Sequence, residues 1–214
     1  MSTEFARVAA KFEANQEPGT GVSNDKLGMW IFLASEVIFF AVLIAAVVTL
    51  RLRNAEIWGE HHEAAIATQL ATINTFILIM SSVFVVSAID AIQKGKENWM
   101  KFWLFLTLVG GSIFLYIQSL EWAELSHGLQ EHFGLGPYFE GATQSILASS
   151  FYTLTGFHGL HVFIGVLLLL YVMMRAFRGD FTPRKYNALE MFGLYWHFVD
   201  LVWIILFTVL YLLG

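Results

Sequence analysis

The sequence predicts an all-α fold, a polytopic membrane bundle of five transmembrane helices. Three observations lead there. Mean hydropathy is +0.63. Only 14% of the 214 residues are charged, a combination foreign to soluble domains and usual for chains with several spans. Five runs reach the length, about 20 mainly apolar residues, that a helix needs to cross the hydrocarbon core. They lie at about 27–50, 70–92, 101–121, 147–174 and 193–213. The connections between them are short, so a separate soluble domain has no room. Residues 1–26 read as an N-terminal tail and 27–214 as one membrane domain.

The basic residues orient the bundle. Arg7, Lys11, Lys26, Lys94, Lys96, Lys101, Arg175, Arg178, Arg184 and Lys185 fall on one side, and only Arg51 and Arg53 on the other. Ten against two places the N-terminus inside and the C-terminus outside. The chain has no cysteine, which excludes disulfides, iron–sulfur clusters and thiolate-bound copper within it. The start of the chain shows no basic segment, apolar core and small-residue cleavage site in succession, so no cleavable signal peptide is expected. Glu4, Glu13 and Glu17 argue against a mitochondrial transit peptide. A net charge of −5 gives no support for nucleic-acid binding.

In the tail, Phe5, Val8, Ala9 and Phe12 recur at helical spacing with Arg7 and Lys11 between them. A short helix on the inner membrane surface fits this pattern. A disordered tail ending at "EPGTG" fits equally well. The first span, "LGMWIFLASEVIFFAVLIAAVV", carries one acid, Glu36. An ionised carboxylate at mid-helix costs about 2.5–3.5 kcal/mol on insertion scales. Glu36 lies roughly 14 Å past Leu27 at the α-helical rise. It is therefore expected to face the bundle interior or to be protonated. It reads as a proton-handling group, an anchor for a polar ligand, or a neutral acid hydrogen-bonded between helices. The following "GEHHE" reads as a wetted outer face, because the adjacent His61, His62 and Glu63 point apart on a helix.

The second span opens with "TQLATINTFILIMSS" and ends at Asp90. In the third, Gly110, Gly111 and Ser112 would let a neighbouring helix approach closely. Gln118 and Glu121 share a face near its outer end. The outer connection from Ala123 to Ile146 has no lysine or arginine and carries Glu124, Glu131, Glu140, His127 and His132. It reads as a solvated loop, with an acidic docking surface for a basic partner as the alternative.

The fourth span contains "SSFYTLTGFHGLHVFIGV", with His158 and His161 one turn apart. His161 precedes the inner end at Val172 by roughly 16 Å, about the depth of Glu36. A Glu36–His161 contact between the two helices would satisfy both groups. Gly156, Gly159 and Gly165 put the histidines on a closely packed face, where both imidazoles are expected to be neutral. In the fifth span, "GLYWHFVDLVWIILFTVLYLLG", His197 and Asp200 share a face. Tyr195, Trp196 and Trp203 suit interfacial or packed positions.

These polar residues make a poor metal site. His197 lies about 6 Å deep, so its level differs from that of His161 by roughly 10 Å, too far for one iron. His158 and His161 alone lack further ligands. No nucleophile–base pair, phosphate loop or carboxylate cluster is visible. The sequence therefore assigns no catalytic residue and no metal ligand.

The segments "FYTLTGFHGLHVFIG" and "YWHFVDLVWIILFTVLYLLG" resemble the two signature stretches of subunit III of the haem–copper oxidases, most closely the cytochrome c oxidase members. "GMWIFLASEVIFF" is similar to the family segment with a mid-membrane glutamate. "INTFILIMSSV" and "FLYIQSLEWAEL" fall between them in the family's order. The resemblance runs from about residue 26 to the end. Better-known members have seven helices. The five-helix form resembles bacterial members, among them quinol oxidase subunits and accessory proteins of nitric oxide reductase.

The resemblance implies a subunit of the bacterial cytoplasmic membrane without haem or copper, those cofactors residing in partner subunits. It implies packing against catalytic subunit I, beside subunits such as II and IV, and support of proton uptake and of durability during turnover. It also implies bound phospholipid, although one wall of the lipid cleft of seven-helix members has no counterpart. By motif, Glu36 matches the family's buried acid, and His158, His161, His197 and Asp200 its signature polar positions. Two other classes were open to the residues alone. A proton-coupled transporter using Glu36 predicts paired inverted repeats and broken helices, which the sequence lacks. A haem-binding electron-transfer subunit predicts an absorption spectrum of its own. The electron donor, cytochrome c or quinol, binds on other subunits, and the Glu36 segment leans toward cytochrome c.

Overall fold

A computed structural model describes residues 24–54, 68–133 and 142–212. They form five helices, α1 (Asn24–Arg53), α2 (Thr68–Gln93), α3 (Glu97–Phe133), α4 (Ala142–Phe177) and α5 (Asn187–Phe207). A π-helical turn, Thr208–Leu212, continues α5. Each helix contains a stretch long and apolar enough to cross a membrane. All five expected spans are present; the first four helices outrun their apolar runs at both ends and α5 at its start. Hydropathy marks only the lipid-immersed part, whereas the hydrogen-bond ladder continues into the interface. The largest difference is the outer connection expected as a loop from Ala123 to Ile146. There α3 continues to Phe133 and α4 starts at Ala142. The tail and the "GEHHE" segment lie outside the described residues.

Both turns at the lysine- and arginine-rich end close in the same way. Gly95 has φ +70° and Gly179 φ +76°. The amides of Gly95 and Lys96 reach back to the carbonyls of Ile92 and Ala91, and those of Gly179 and Asp180 to Ala176 and Arg175. This paired pattern is the Schellman ending, which needs a residue in the left-handed region.

Helices α2, α3, α4 and α5 pack in a ring, each against the next, with α5 returning to α2. Helix α1 lies outside the ring against α4 and α5. Of the apolar stretch of α5, 67% is buried within the protein, against 11% for α1. The core is centred on α5, where Phe192, Tyr195, Trp196, Val199, Trp203 and Leu206 are all buried.

Glycines set the spacing around Trp196. A Cβ on Gly111 would sit 2.7 Å from the Trp196 ring, and one on Gly165 2.8 Å from its other edge. The indole fits because α3 and α4 present no side chain there. Gly110 likewise admits Ser81 of α2, 3.1 Å from where its Cβ would be. Two neighbours in the same motifs differ from expectation. Ser112 is exposed, turned away by the helical rotation that aims Gly111 inward. Gly159 has open space around it, so it is not part of the packed face of α4.

Candidate functional site: polar side chains between the helices

Glu36 of α1 meets His161 of α4, with Oε2 3.2 Å from Nε2. The other ring nitrogen, Nδ1, donates to the Phe157 carbonyl at 2.7 Å. A carbonyl can only accept, so Nδ1 carries a proton. Nε2 then faces the Glu36 carboxyl group at hydrogen-bond distance. Phe40, one turn along α1, sets its ring edge-on to His161 at 5.0 Å and lies 6.2 Å from Phe198. Tyr195 Oη donates to the His161 carbonyl at 2.9 Å. The seam is thus polar at its centre and aromatic around it.

Further polar contacts tie α1 at both ends. At the basic end, Lys26 pairs with Glu190 at 2.8 Å, and Asn187 donates to Asp25 at 2.7 Å. At the other end, Arg51 donates to the Val209 carbonyl at 3.1 Å. These contacts are spaced along the length of the helix.

His158 faces the ring of four instead. Its Nε2 donates to the Val199 carbonyl at 3.1 Å. The imidazole packs 4.7 Å from the Trp203 ring and 5.6 Å from Phe114. The two histidines one turn apart therefore serve different interfaces, His161 toward α1 and His158 toward α3 and α5. Gln118 and Glu121 do share a buried face of α3. Tyr211 Oη reaches Glu121 at 3.3 Å from within the π-helical turn. His197 Nδ1 is 3.0 Å from Ser82 Oγ.

Sequence reasoning missed one recurring device. Trp196 Nε1 donates to Ser81 Oγ at 3.0 Å, Trp203 Nε1 to Thr75 Oγ1 at 2.9 Å and Trp122 Nε1 to Thr155 Oγ1 at 3.1 Å. Each hydroxyl passes its own proton back to a carbonyl of the preceding turn, on Leu78, Ala71 and Phe151. An indole N–H buried in a membrane bundle needs an acceptor. Asking where each one goes would have singled out Ser81, Thr75 and Thr155.

Among the described residues, no three His, Cys, Asp or Glu side chains gather around a point that could hold a metal.

The family profile described as cytochrome c oxidase subunit III matches residues 15–214. The chain is 40% identical over 188 residues to the cytochrome c oxidase subunit 3 of Thermostichus vulcanus, covering 87% of this chain and 86% of that one. It is 35% identical over 219 residues to the cytochrome c oxidase subunit 3 of Bacillus subtilis, covering 100% and 99%. It is 36% identical over 194 residues to a probable quinol oxidase subunit 3 of Staphylococcus haemolyticus, covering 89% of both. With five membrane-length helices matched almost end to end by these relatives, the chain belongs to the cytochrome c oxidase subunit III family.

Proposed function

We propose that this chain is a non-redox subunit of a bacterial haem–copper oxidase of the cytochrome c oxidase type. It packs against catalytic subunit I in the cytoplasmic membrane, beside subunits such as II and IV, with its N-terminus inside. Oxygen reduction and proton pumping take place at haems and copper held by the partners. This chain supports proton uptake there and keeps the catalytic subunit durable during turnover. The observation that carries the reading is the Glu36–His161 pair. It joins α1 to the ring within the span, as expected of a fastener beside a redox enzyme.

Phospholipid is the ligand this chain itself binds. A cavity of about 420 Å³ opens at the basic end between α1, α4 and α5. Met29, Leu168, Tyr171 and Met191 give it apolar walls, and Arg175 and Lys185 stand at its polar part. Acyl chains suit the former and a phosphate the latter.

Replacement of His161 by Leu in the intact oxidase tests the reading. The expected outcome is lower assembly and faster loss of activity during turnover, with the haem absorption bands of the assembled fraction unchanged. Loss of a haem band with assembly intact would overturn it.

A further inference from the structure

Inside the ring of four, α2, α3 and α4 each contribute a buried polar group that the protein leaves unpaired. Asn74 and His158 are 0% exposed and Gln118 is 4% exposed. Asn74 Oδ1, both Gln118 amide atoms and His158 Nδ1 have no hydrogen-bond partner in the protein. The three residues converge on Phe114. Asn74 Nδ2 donates to the Phe114 carbonyl at 3.3 Å, which fixes the orientation of that amide. The His158 ring sets its edge against the Phe114 ring. Gln118 lies one turn further along α3 on the same face. The unpaired Asp200 Oδ1 continues the series on α5, one turn from Trp203, whose ring also packs on Phe114 at 4.8 Å.

The imbalance at Phe114 has a direction. His158 uses Nε2–H on Val199, so Nδ1 accepts. Asn74 Oδ1 and Gln118 Oε1 also accept. Gln118 Nε2 donates with two hydrogens, and Asn74 Nδ2 keeps one beyond its bond to Phe114. Each buried group left unmatched costs free energy, and a low-dielectric core magnifies that cost. The two amide oxygens can accept two bonds each and His158 Nδ1 one, five in all against three free hydrogens, so the group calls for an occupant that donates as well as accepts.

We infer that this level of the bundle is a binding site for a small cluster of ordered water molecules, held by Asn74 Oδ1, the Gln118 amide and His158 Nδ1. Each water offers two hydrogens, so two waters match the three acceptors and still accept from Gln118 Nε2. The cluster joins α2, α3 and α4 through bonds that no side-chain pair provides. The inference rests on local geometry alone and holds whichever electron donor the oxidase uses.

The sign of one substitution separates a wet core from a dry one. In a dry core, Gln118→Leu removes an unmatched amide and raises the thermal midpoint of the intact complex. In a hydrated site it removes two bonds to water and lowers it. We expect a lower midpoint for Gln118→Leu and for Asn74→Leu. We expect the double variant to lose less than the sum of the two, because both residues hold the same waters. A midpoint unchanged or raised in Gln118→Leu overturns the inference. So does a map of the wild-type complex at water-resolving resolution in which these atoms contact one another directly or contact a metal ion. Density for waters within hydrogen-bond distance of Asn74 Oδ1, Gln118 and His158 Nδ1 supports it.

Discussion

Helix α1 sets only Phe40 and Val47 fully into the protein, while α5 buries side chains around most of its circumference, both of its indoles among them. Both helices cross the same lipid, so the contrast is not one of solvent. In a bilayer, burying an apolar side chain against another helix gains nothing over burying it in acyl chains. Association then rests on fit and on hydrogen bonds. The ring α2–α5 uses fit, with glycines on α3 and α4 receiving Trp196. Helix α1 uses polar tethers, Lys26–Glu190 and Asp25–Asn187 at one end, Glu36–His161 within the span and Arg51–Val209 at the other end. A helix that presents Ile31, Val37, Ile38 and Val42 outward can be held this way and still offer lipid or a neighbouring subunit a full apolar face.

The largest expected effects lie in the ring. Trp196→Ala should give the largest loss, set by the cavity left behind at about 24 cal/mol per Å³, with no water-transfer cost added because the alternative surroundings are acyl chains. Part of that cost is the Ser81 hydroxyl left without its indole donor. Thermal unfolding of the assembled oxidase, followed by the amount of subunit III retained, checks this. A loss below that of the α1 variants considered next would reverse the ranking of fit over tethers. Gly111→Val tests the same packing from the other side. Its Cβ would enter the Trp196 ring at 2.7 Å, so an overpacking cost of about 1–3 kcal/mol is expected. The double variant Gly111→Val, Trp196→Ala should recover part of the loss.

The tether at mid-membrane comes next. A double-mutant cycle on Glu36→Leu and His161→Leu should give a coupling near 0.6 kcal/mol and not above about 1.7, the span measured for hydrogen bonds within membranes. The readout is release of α1, for instance as loss of an engineered cross-link between α1 and α5. Coupling indistinguishable from zero would mean that Phe40 and its aromatic neighbours hold the helix without the polar pair.

How far the sequence reveals these two regions follows from what each costs in lipid. Glu36 and His161 were legible because a charged or polar group at equal depth on two helices demands an explanation. A rise of about 1.5 Å per residue was enough to pair them. Ser81, Thr75 and Thr155 were not legible as acceptors. A hydroxyl in a membrane helix can satisfy itself on its own preceding turn, so nothing in the string marks it as needed elsewhere. The divergence of His158 from His161 also escaped. Residues three apart share a broad face, yet the roughly 60° between them suffices to aim one at α1 and the other into the ring. The helical extension of α3 past Glu121 escaped because apolar runs report lipid and not helix. The π-helical turn that brings Tyr211 to Glu121 has no pattern in "TVLYL" to announce it.

The smallest effect is expected at the basic end of α1. Lys26 and Glu190 approach to 2.8 Å, but their side chains remain 37% and 25% exposed. Water screens such a pair, and ordering two long side chains opposes it, so about 0.2–1 kcal/mol is expected. Lys26→Ala should therefore loosen the first turn of α1 while leaving the Glu36–His161 contact in place. The Asn187–Asp25 hydrogen bond beside it limits the fraying to that turn. Raising salt from low to about 1 M shortens the screening length to about 3 Å and should erase the difference between Lys26→Ala and the unmodified protein. Hydrogen exchange of the first α1 amides at both salt concentrations measures it. If the variant instead frees α1 as far as Glu36, the polar contacts act as one cooperative clasp and not as independent tethers. The contrast between a packed ring and a tethered helix would then need a coupling along α1 that separate contacts do not supply.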